Sequence, residues 1–265
     1  MADIRSGTVY FVGAGPGAAD LISVRGRELV CAADLLVYAD SLVDEAHAAY
    51  AKRSAHVLGS STMTLDQMVA LMAEAATRGE VVVRLHSGDP SIYGAMHEQI
   101  VALRAAGVPY VVVPGISSAF AAAAALGVEL TVPNVAQTVI FTRAQGRASA
   151  VPEGESLRSL AAHGTTLALF LSAAIIRHAV EDLIAGGYAV DTPAVVAYRI
   201  SWPDELLLRC TLAEVESTLR AHTITKSALI LIGPALAVEG VDDARSRLYD
   251  STYTHLYRRG EPSHD

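Results

Sequence analysis

Through the first half of the chain, short apolar runs rich in valine alternate with longer stretches of helical period. TVYFVG precedes LISVRGRELVCAA; DLLVYA precedes a polar segment of helical character; HVLGS precedes LDQMVALMAEAATRG; EVVVRLHSG precedes an amphipathic stretch reaching Ala106; YVVVPG precedes SSAFAAAAALG. Strands that each feed a covering helix predict a mainly parallel sheet with helices on its faces, because a parallel neighbour is reached only by a long crossover. In such a sheet the chemistry gathers at the C-terminal ends of the strands.

After TVPNVAQ the pattern restarts with TVIFTRA, a polar loop (SAVPEGES), TTLALFLS, a helix around AAIIRHAVEDLIAGG, and TPAVVAYRI. There it changes: only SWPDE separates AVVAYRI from LLLRCT, too short a connection for a parallel crossover, so an antiparallel pair in a mixed sheet is expected. The chain thus reads as two α/β domains, residues 1–133 and 134–238, with the boundary near Pro133 and Asn134 and an interdomain cleft as the ligand site. Residues 239–265 lack a core pattern but carry Tyr249, Tyr253 and Tyr257; they are either a frayed end or an arm over the site or a partner subunit.

Composition narrows the class. With 52% hydrophobic and 18% charged residues in 265, the chain buries a substantial core and is no disordered segment. Its longest apolar run, SALILIGPALAV, is broken by Gly233 and Pro234 and falls short of the roughly 18 residues of a bilayer span, so no membrane partner is expected. The N-terminus runs straight into the first strand without a secretory signal, which implies a cytoplasmic address. Cys31 and Cys210 have no metal-ligand spacing around them and read as ordinary buried thiols, with no metal site. A net charge of −8 gives no field for nucleic acid, so an anionic ligand must be met by individual arginines.

The first candidate site is GAGPG, at the end of the first strand. Gly13, Gly15 and Gly17 lack the spacing of a dinucleotide-binding loop, and Pro16 has no N–H to offer a pyrophosphate. The intervening AAD delays the next helix, whose N-cap is Asp20 or Ser23, so its dipole points away from the loop. Asp40, after the second strand, stands near the place of a ribose-binding acid and keeps the dinucleotide reading open; a merely tight turn is the other alternative. Two more strands end in similar loops, SGDPSIYG and VPGISS, so three Pro/Gly turns face one sheet edge.

GAGPG, SGDPSIYG and VPGISS, in this order and at these separations, resemble the tetrapyrrole (corrin and sirohaem) methyltransferases that use S-adenosylmethionine. The likeness covers nearly the whole chain, and YADSLV, QTVIFTRAQGR, ISWPDE and SRLYDSTYTHLYR are most similar to a branch acting in cobalamin synthesis. The resemblance implies two α/β domains, a homodimer, a small-molecule tetrapyrrole substrate, and S-adenosylmethionine folded into the interdomain trough. Position by position, it implies cofactor contacts from Pro16, Ser87, Gly88, Asp89, Ile92, Ser117 and Ser118, and from Phe170, Leu171, Tyr198, Arg199, Ile200 and Ala228. Ala18 and Ala19 stand where many relatives carry Asp-Pro, which leaves the shape of the first turn open.

The residue chemistry fits that cofactor: glycines admit main-chain contacts, serines supply hydroxyls, and Phe170 with Leu171 can cover adenine. Asp89 either accepts from the ribose or amino group or only closes its own turn before Pro90. Methyl transfer disperses the sulfonium charge, so the pocket at the methyl should be apolar, and alignment with a ring carbon should supply most of the acceleration. Arg84, Arg143 and Arg147, with Arg199 nearby, are candidates to clamp substrate carboxylates; each alone could equally be a solvated arginine. Asp40, matching the acid before Leu-Val in relatives, is the candidate base, with His86 behind it unless His86 is a core histidine. A transferase acting on a macromolecule and a non-enzymatic tetrapyrrole carrier are the competing functions.

Overall fold

The computed structural model describes residues 3–146, 150–152, 154–237 and 246–260. The chain divides into two compact units, Met1–Ala122 with Arg199–Leu206, and Ala123–Tyr198 with Leu207–Asp265. The division falls inside a helix, Ser118–Leu126, ahead of Pro133 and Asn134.

In the first unit the apolar runs form β1 (Thr8–Gly13), β2 (Leu35–Tyr38), β3 (His56–Gly59), β4 (Val81–His86) and β5 (Tyr110–Val113). They lie in the order β3-β2-β4-β1-β5, and every pairing is parallel. The crossovers carry α1 (Val24–Ala32), α2 (Leu65–Thr77) and α3 (Met96–Ala105). Strand alternation sorts the core. Tyr10, Val12, Leu36, Val83 and Leu85 pack with Leu29 and Val30 of α1, while Val9, Phe11, Val37 and Val82 pack with Met68 and Met72 of α2 and Leu103 of α3. The register Phe11↔Arg84 and Gly13↔His86 makes the two central strands end side by side.

Local signals fix the helix starts. Ser23, not Asp20, caps α1, its hydroxyl accepting from the Gly26 N–H at 3.1 Å. Thr64 and Gln67 form a capping box at the start of α2. Residues Ala19–Leu21 make a 3-10 turn between the first loop and α1. The segment expected as a helix after β2 is also 3-10, Glu45–Tyr50, the usual form of a short helical connector.

The second unit contains β6 (Val139–Arg143), β7 (Thr166–Phe170), β8 (Pro193–Tyr198), β9 (Leu206–Thr211) and β10 (Ala228–Ile232), in the order β6-β7-β10-β8-β9. β6 runs parallel to β7, while β10 is antiparallel to both β7 and β8, which makes the sheet mixed. The helix Ser118–Leu126 is α4; α5 (Leu157–Ala161), α6 (Ile176–Ala185) and α7 (Val215–Ala221) follow. Leu183, Val215 and Leu219 pack on Leu167, Leu169, Val196, Ile230 and Ile232. α5 and α7 were not expected; both are too short to print a period on the sequence.

The thiols depart from expectation. Cys31 is exposed, because it follows Val30 by one residue and so turns off the buried stripe of α1; Cys210, on β9, is half-buried. Residues 246–260 of the tail fold on themselves, with Arg258 donating to the carbonyls of Leu248 and Asp250. Among the described residues, no helix is long and apolar enough to cross a membrane, and no group of three or more His, Cys, Asp and Glu is placed to hold a metal.

Candidate functional site

The three Pro/Gly turns of the first unit meet backbone on backbone. A Cβ on Gly115 would lie 2.2 Å from the Gly88 carbonyl oxygen and 2.7 Å from the Gly13 Cα; one on Gly13 would lie 2.5 Å from the Gly115 Cα. Only glycine permits this approach. Gly15 and Gly88 form an antiparallel bridge, the Gly15 N–H donating to Gly88 O at 3.2 Å and the Gly88 N–H to Gly15 O at 2.8 Å.

Two further donors of the first turn are also engaged. The Ala14 N–H donates to His86 O at 2.8 Å, and the Ala18 N–H to the Ser201 hydroxyl at 2.9 Å. Its carbonyls are engaged as well: Ala14 O lies 3.0 Å from Nε2 of buried His47, and Pro16 O accepts from the Trp202 indole N–H at 3.3 Å. With Ser23 filling the N-cap of α1, the turn has no cradle for a pyrophosphate.

Asp89 secures the second turn to the third. Its carboxylate accepts from the Gly115 N–H at 2.9 Å, and from both the Ser91 N–H, at 2.8 Å, and the Ser91 hydroxyl. Burial pushes its pKa up, but these hydrogen bonds outweigh burial and hold it below the usual carboxylate range. The turn-closing role is thus plain in the structure. Ser87, Gly88 and Ile92 are half-buried around it, Pro16 and Ser117 are buried, and Ser118 opens α4 half-buried.

Asp40 follows β2 by two residues as an exposed carboxylate that accepts from the Ser61 N–H at 2.8 Å and hydroxyl at 2.6 Å. The Ser61 hydroxyl is the main cause of its lowered pKa. His86 is 3% exposed, and its Nε2 has no hydrogen-bond partner among the described residues. Burial, reinforced by the charge of Arg84, drives its pKa down to about 3, so it is neutral near pH 7. Arg84, on the same face of β4, is 6% exposed and donates to Gln99 Oε1 and Val37 O, both at 3.4 Å. That position is within the packing of the sheet, not at the surface where a carboxylate clamp was expected; burial lowers its pKa to about 10, and it stays charged.

Arg199 and Ile200 belong to the first unit by packing although they follow β8 in sequence. Ile200 is buried; Arg199 lies over the Trp202 ring at 4.2 Å and pairs with Asp204 at 3.0 Å. In the second unit, Phe170 closes β7 with its ring 5.8 Å from Phe141, and Leu171 follows at φ 53° with 67% of its surface exposed. A buried Ser172 shapes this bend, accepting from the Ala144 N–H at 2.8 Å and donating to Phe170 O at 2.7 Å. Tyr198 and Ala228 are cross-strand partners. Arg143 pairs with Phe170 in the register and donates to Ala150 O at 3.2 Å; Arg147 lies outside the described residues.

Sequence reading missed His47, Ser61, Ser172, Ser201 and Trp202. Trp202 alone carried a signal, as the one tryptophan of the chain set in a turn.

Comparison with known proteins gives the family and the fold. The family model of the tetrapyrrole (corrin/porphyrin) methylases matches residues 8–216. A cobalt-precorrin-4 C(11)-methyltransferase from Priestia megaterium is 47% identical over 256 residues, 96% of this chain and 99% of that protein. The solved structure of a cobalt precorrin-4 methyltransferase, a cobalamin biosynthetic enzyme, matches with a TM-score of 0.84 at 46% identity, covering 87% of this chain and 96% of that one. Uroporphyrin-III C-methyltransferase from Thermus thermophilus, complexed with S-adenosylhomocysteine, matches with a TM-score of 0.72 at 26% identity, over 88% of this chain and 100% of that one.

Proposed function

Because the chain belongs to the tetrapyrrole (corrin/porphyrin) methylase family, we propose that it methylates precorrin-4 at C11 to give precorrin-5 in cobalamin synthesis, with S-adenosylmethionine as donor. The observation that carries this reading is the first turn, where the Ala14, Gly15 and Ala18 amides are spent on His86, Gly88 and Ser201 and Pro16 has none, so no row of free amides is left. A nucleoside without phosphates asks for no such amides, whereas a dinucleotide does.

S-adenosylmethionine supplies an electrophilic methyl group on a sulfonium. The half-buried hydroxyls of Ser87 and Ser118 suit the ribose and methionine ends, and Pro16, Gly88, Ile92 and Ser117 shape the turns around them. Asp89 acts by holding Gly115 in place. The same reading gives cofactor contacts to Phe170, Leu171, Tyr198, Arg199, Ile200 and Ala228, with Phe170 and Leu171 as apolar cover. The chain's main work is alignment and exclusion of water, since a carboxylate set against the sulfonium would favour the ground state.

In this reading Asp40 takes the proton from the methylated macrocycle; its hydrogen bonds from Ser61 hold its pKa down, so it is ionised at neutral pH and free to accept. Asp40→Asn should lower turnover about a hundredfold with cofactor affinity unchanged, a range usual for loss of a general base; near-normal turnover rejects the role. Arg143 is the described arginine left as a carboxylate clamp, and Arg143→Glu should raise the tetrapyrrole KM alone. The working form under this reading is a homodimer in the cytoplasm, checked by sedimentation and cell fractionation.

The deciding experiment is incubation with labelled S-adenosylmethionine and a series of precorrin intermediates, with and without cobalt, followed by NMR location of the new methyl. Label at C11 of precorrin-4 supports the proposal. Label at another carbon, or none, overturns it.

A further inference from the structure

The stretch Arg199–Leu206 joins two strands of the second unit's sheet, yet its packing places it in the first unit, against Pro16, Gly17 and Ala18. Three contacts hold it there. The Trp202 indole N–H donates to Pro16 O at 3.3 Å, and the Ser201 hydroxyl accepts from the Ala18 N–H at 2.9 Å. Between them, the Cδ1–Nε1 edge of the indole rests on Gly17 so closely that a Cβ there would lie 2.2 Å from Cδ1 and 2.5 Å from Nε1.

The stretch is itself braced. Arg199 covers the indole ring at 4.2 Å and is fixed by Asp204 at 3.0 Å. The Ser201 N–H donates to Glu205 at 2.5 Å. Arg199 and Ser201 stand at φ 44° and 64°, left-handed conformations that a non-glycine residue keeps only where its surroundings over-determine them.

The turn they meet does not hold itself. Pro16 has no N–H, Gly17 has no side chain, and the Gly15 amide already serves Gly88. The near side of GAGPGA is fixed by Gly88, while Pro16 O and the Ala18 N–H on the far side are satisfied by Trp202 and Ser201. We infer that Ser201 and Trp202 are positioning residues, a clasp that sets the shape of the Pro16–Ala18 turn and thereby the affinity for the cofactor. The cofactor part rests on the function proposed above; the clasp itself does not.

The clasp can be read without turnover. Hydrogen exchange at the Ala18 amide should speed up at least about tenfold in Ser201→Ala and in Trp202→Phe, the factor that loss of a hydrogen bond of about 1.4 kcal/mol produces. Calorimetry with S-adenosylhomocysteine should show a Kd raised about tenfold in Trp202→Ala and severalfold in Trp202→Phe, a side chain that keeps the ring and loses the donor. As the single tryptophan of the chain, Trp202 should also change its emission when the unaltered protein takes up S-adenosylhomocysteine. If Trp202→Ala does not fold, Trp202→Phe and Ser201→Ala decide the matter.

Unchanged exchange at Ala18 in both milder variants overturns the clasp. Faster exchange with an unaltered Kd overturns its role toward the cofactor. If the unaltered protein fails to bind S-adenosylhomocysteine, the proposed function falls together with that role, while the exchange result still judges the clasp.

Discussion

The two sheets end their strands by different means. In the first unit the turns after β1, β4 and β5 touch through Gly13, Gly88 and Gly115, backbone on backbone. In the second, the bend after β7 is held by one buried side chain, Ser172, whose hydroxyl serves Ala144 and Phe170. The interiors differ in the same sense. Among the described residues, the first unit buries Arg84, His86, His47 and Gln99 besides the hydroxyls of Thr8 and Ser117, whereas the polar side chains buried in the second are hydroxyl-bearing: Thr142, Thr166, Ser172 and Tyr188. Where three turns of the parallel sheet meet at one edge, backbone contact leaves no room for side chains at Gly13 and Gly115. The mixed sheet brings fewer turns together and holds its strand end with a hydroxyl.

If the first unit depends on backbone contact, its largest sensitivity is a single methyl group. Gly115→Ala places a Cβ 2.2 Å from Gly88 O, where the atom in the way is main chain and cannot swing aside. A loss of about 3 kcal/mol or more is expected, at the upper end of overpacking costs, and cofactor binding should go with it. Gly127→Ala in the second unit is the control: its φ is +66° with nothing within 4 Å, so only backbone strain of about 1 kcal/mol applies. Equal losses in urea titrations of the two variants would erase the distinction.

Ser172→Ala tests the other half. It leaves the buried Ala144 N–H without its acceptor, which should cost about 2 kcal/mol, and Ser172→Cys should recover little because a thiol accepts weakly. A denaturation midpoint unmoved by Ser172→Ala would mean that the hydroxyl does not shape the bend.

The burial of His86 adds a pH dependence to the first unit. The unfolded His86 imidazole takes up a proton near pH 6.5, but the folded one resists until about 3. Between those values the unfolded chain binds more protons, so stability is complete above about pH 6.5 and falls as pH falls, by up to about 1.4 kcal/mol per pH unit from this group. His86→Leu should flatten that slope. The same depressed pKa means that an acid limb in the rate profile near pH 6 does not belong to His86.

These contrasts also explain what the sequence displayed. Gly13 and Gly115 were legible because close backbone approach demands a residue type that stands out, Gly88 because its φ of +61° favours the same type, and the all-parallel sheet followed from strands alternating with helices. His47, Ser172 and Ser201 were hidden because each acts on a partner distant in sequence, and Trp202, though visible as the single tryptophan, gave no sign of its partner Pro16, 186 positions away. Leu171 was named through family likeness alone, since nothing about a leucine at a strand end foretells φ 53° with 67% of its surface exposed. Arg84 read as a strand-end cation; its burial is decided by which face of β4 it occupies and by α3 bringing Gln99 against it.

The smallest expected effect supplies the finest probe, because each unit carries one thiol: exposed Cys31 on α1 and half-buried Cys210 on β9. Replacing either Cys31 by Ser or Cys210 by Ala should leave the cofactor Kd unchanged, and the surface replacement should move stability by no more than about 0.5 kcal/mol. Their reactivity, however, should differ. Burial raises the Cys210 pKa against the opposing hydrogen bond to Thr218, so less thiolate is present at pH 8 and the reagent must also reach it. Cys31 should therefore react with a disulfide reagent before Cys210 in the unaltered protein. In Gly115→Ala the damage begins in the first unit, so a mixture of local openings should leave the slow Cys210 phase intact, whereas Ser172→Ala should quicken that phase. If Gly115→Ala quickens Cys210 as much as Ser172→Ala does, the two units open as one cooperative body and their separate constructions do not confer separate stabilities.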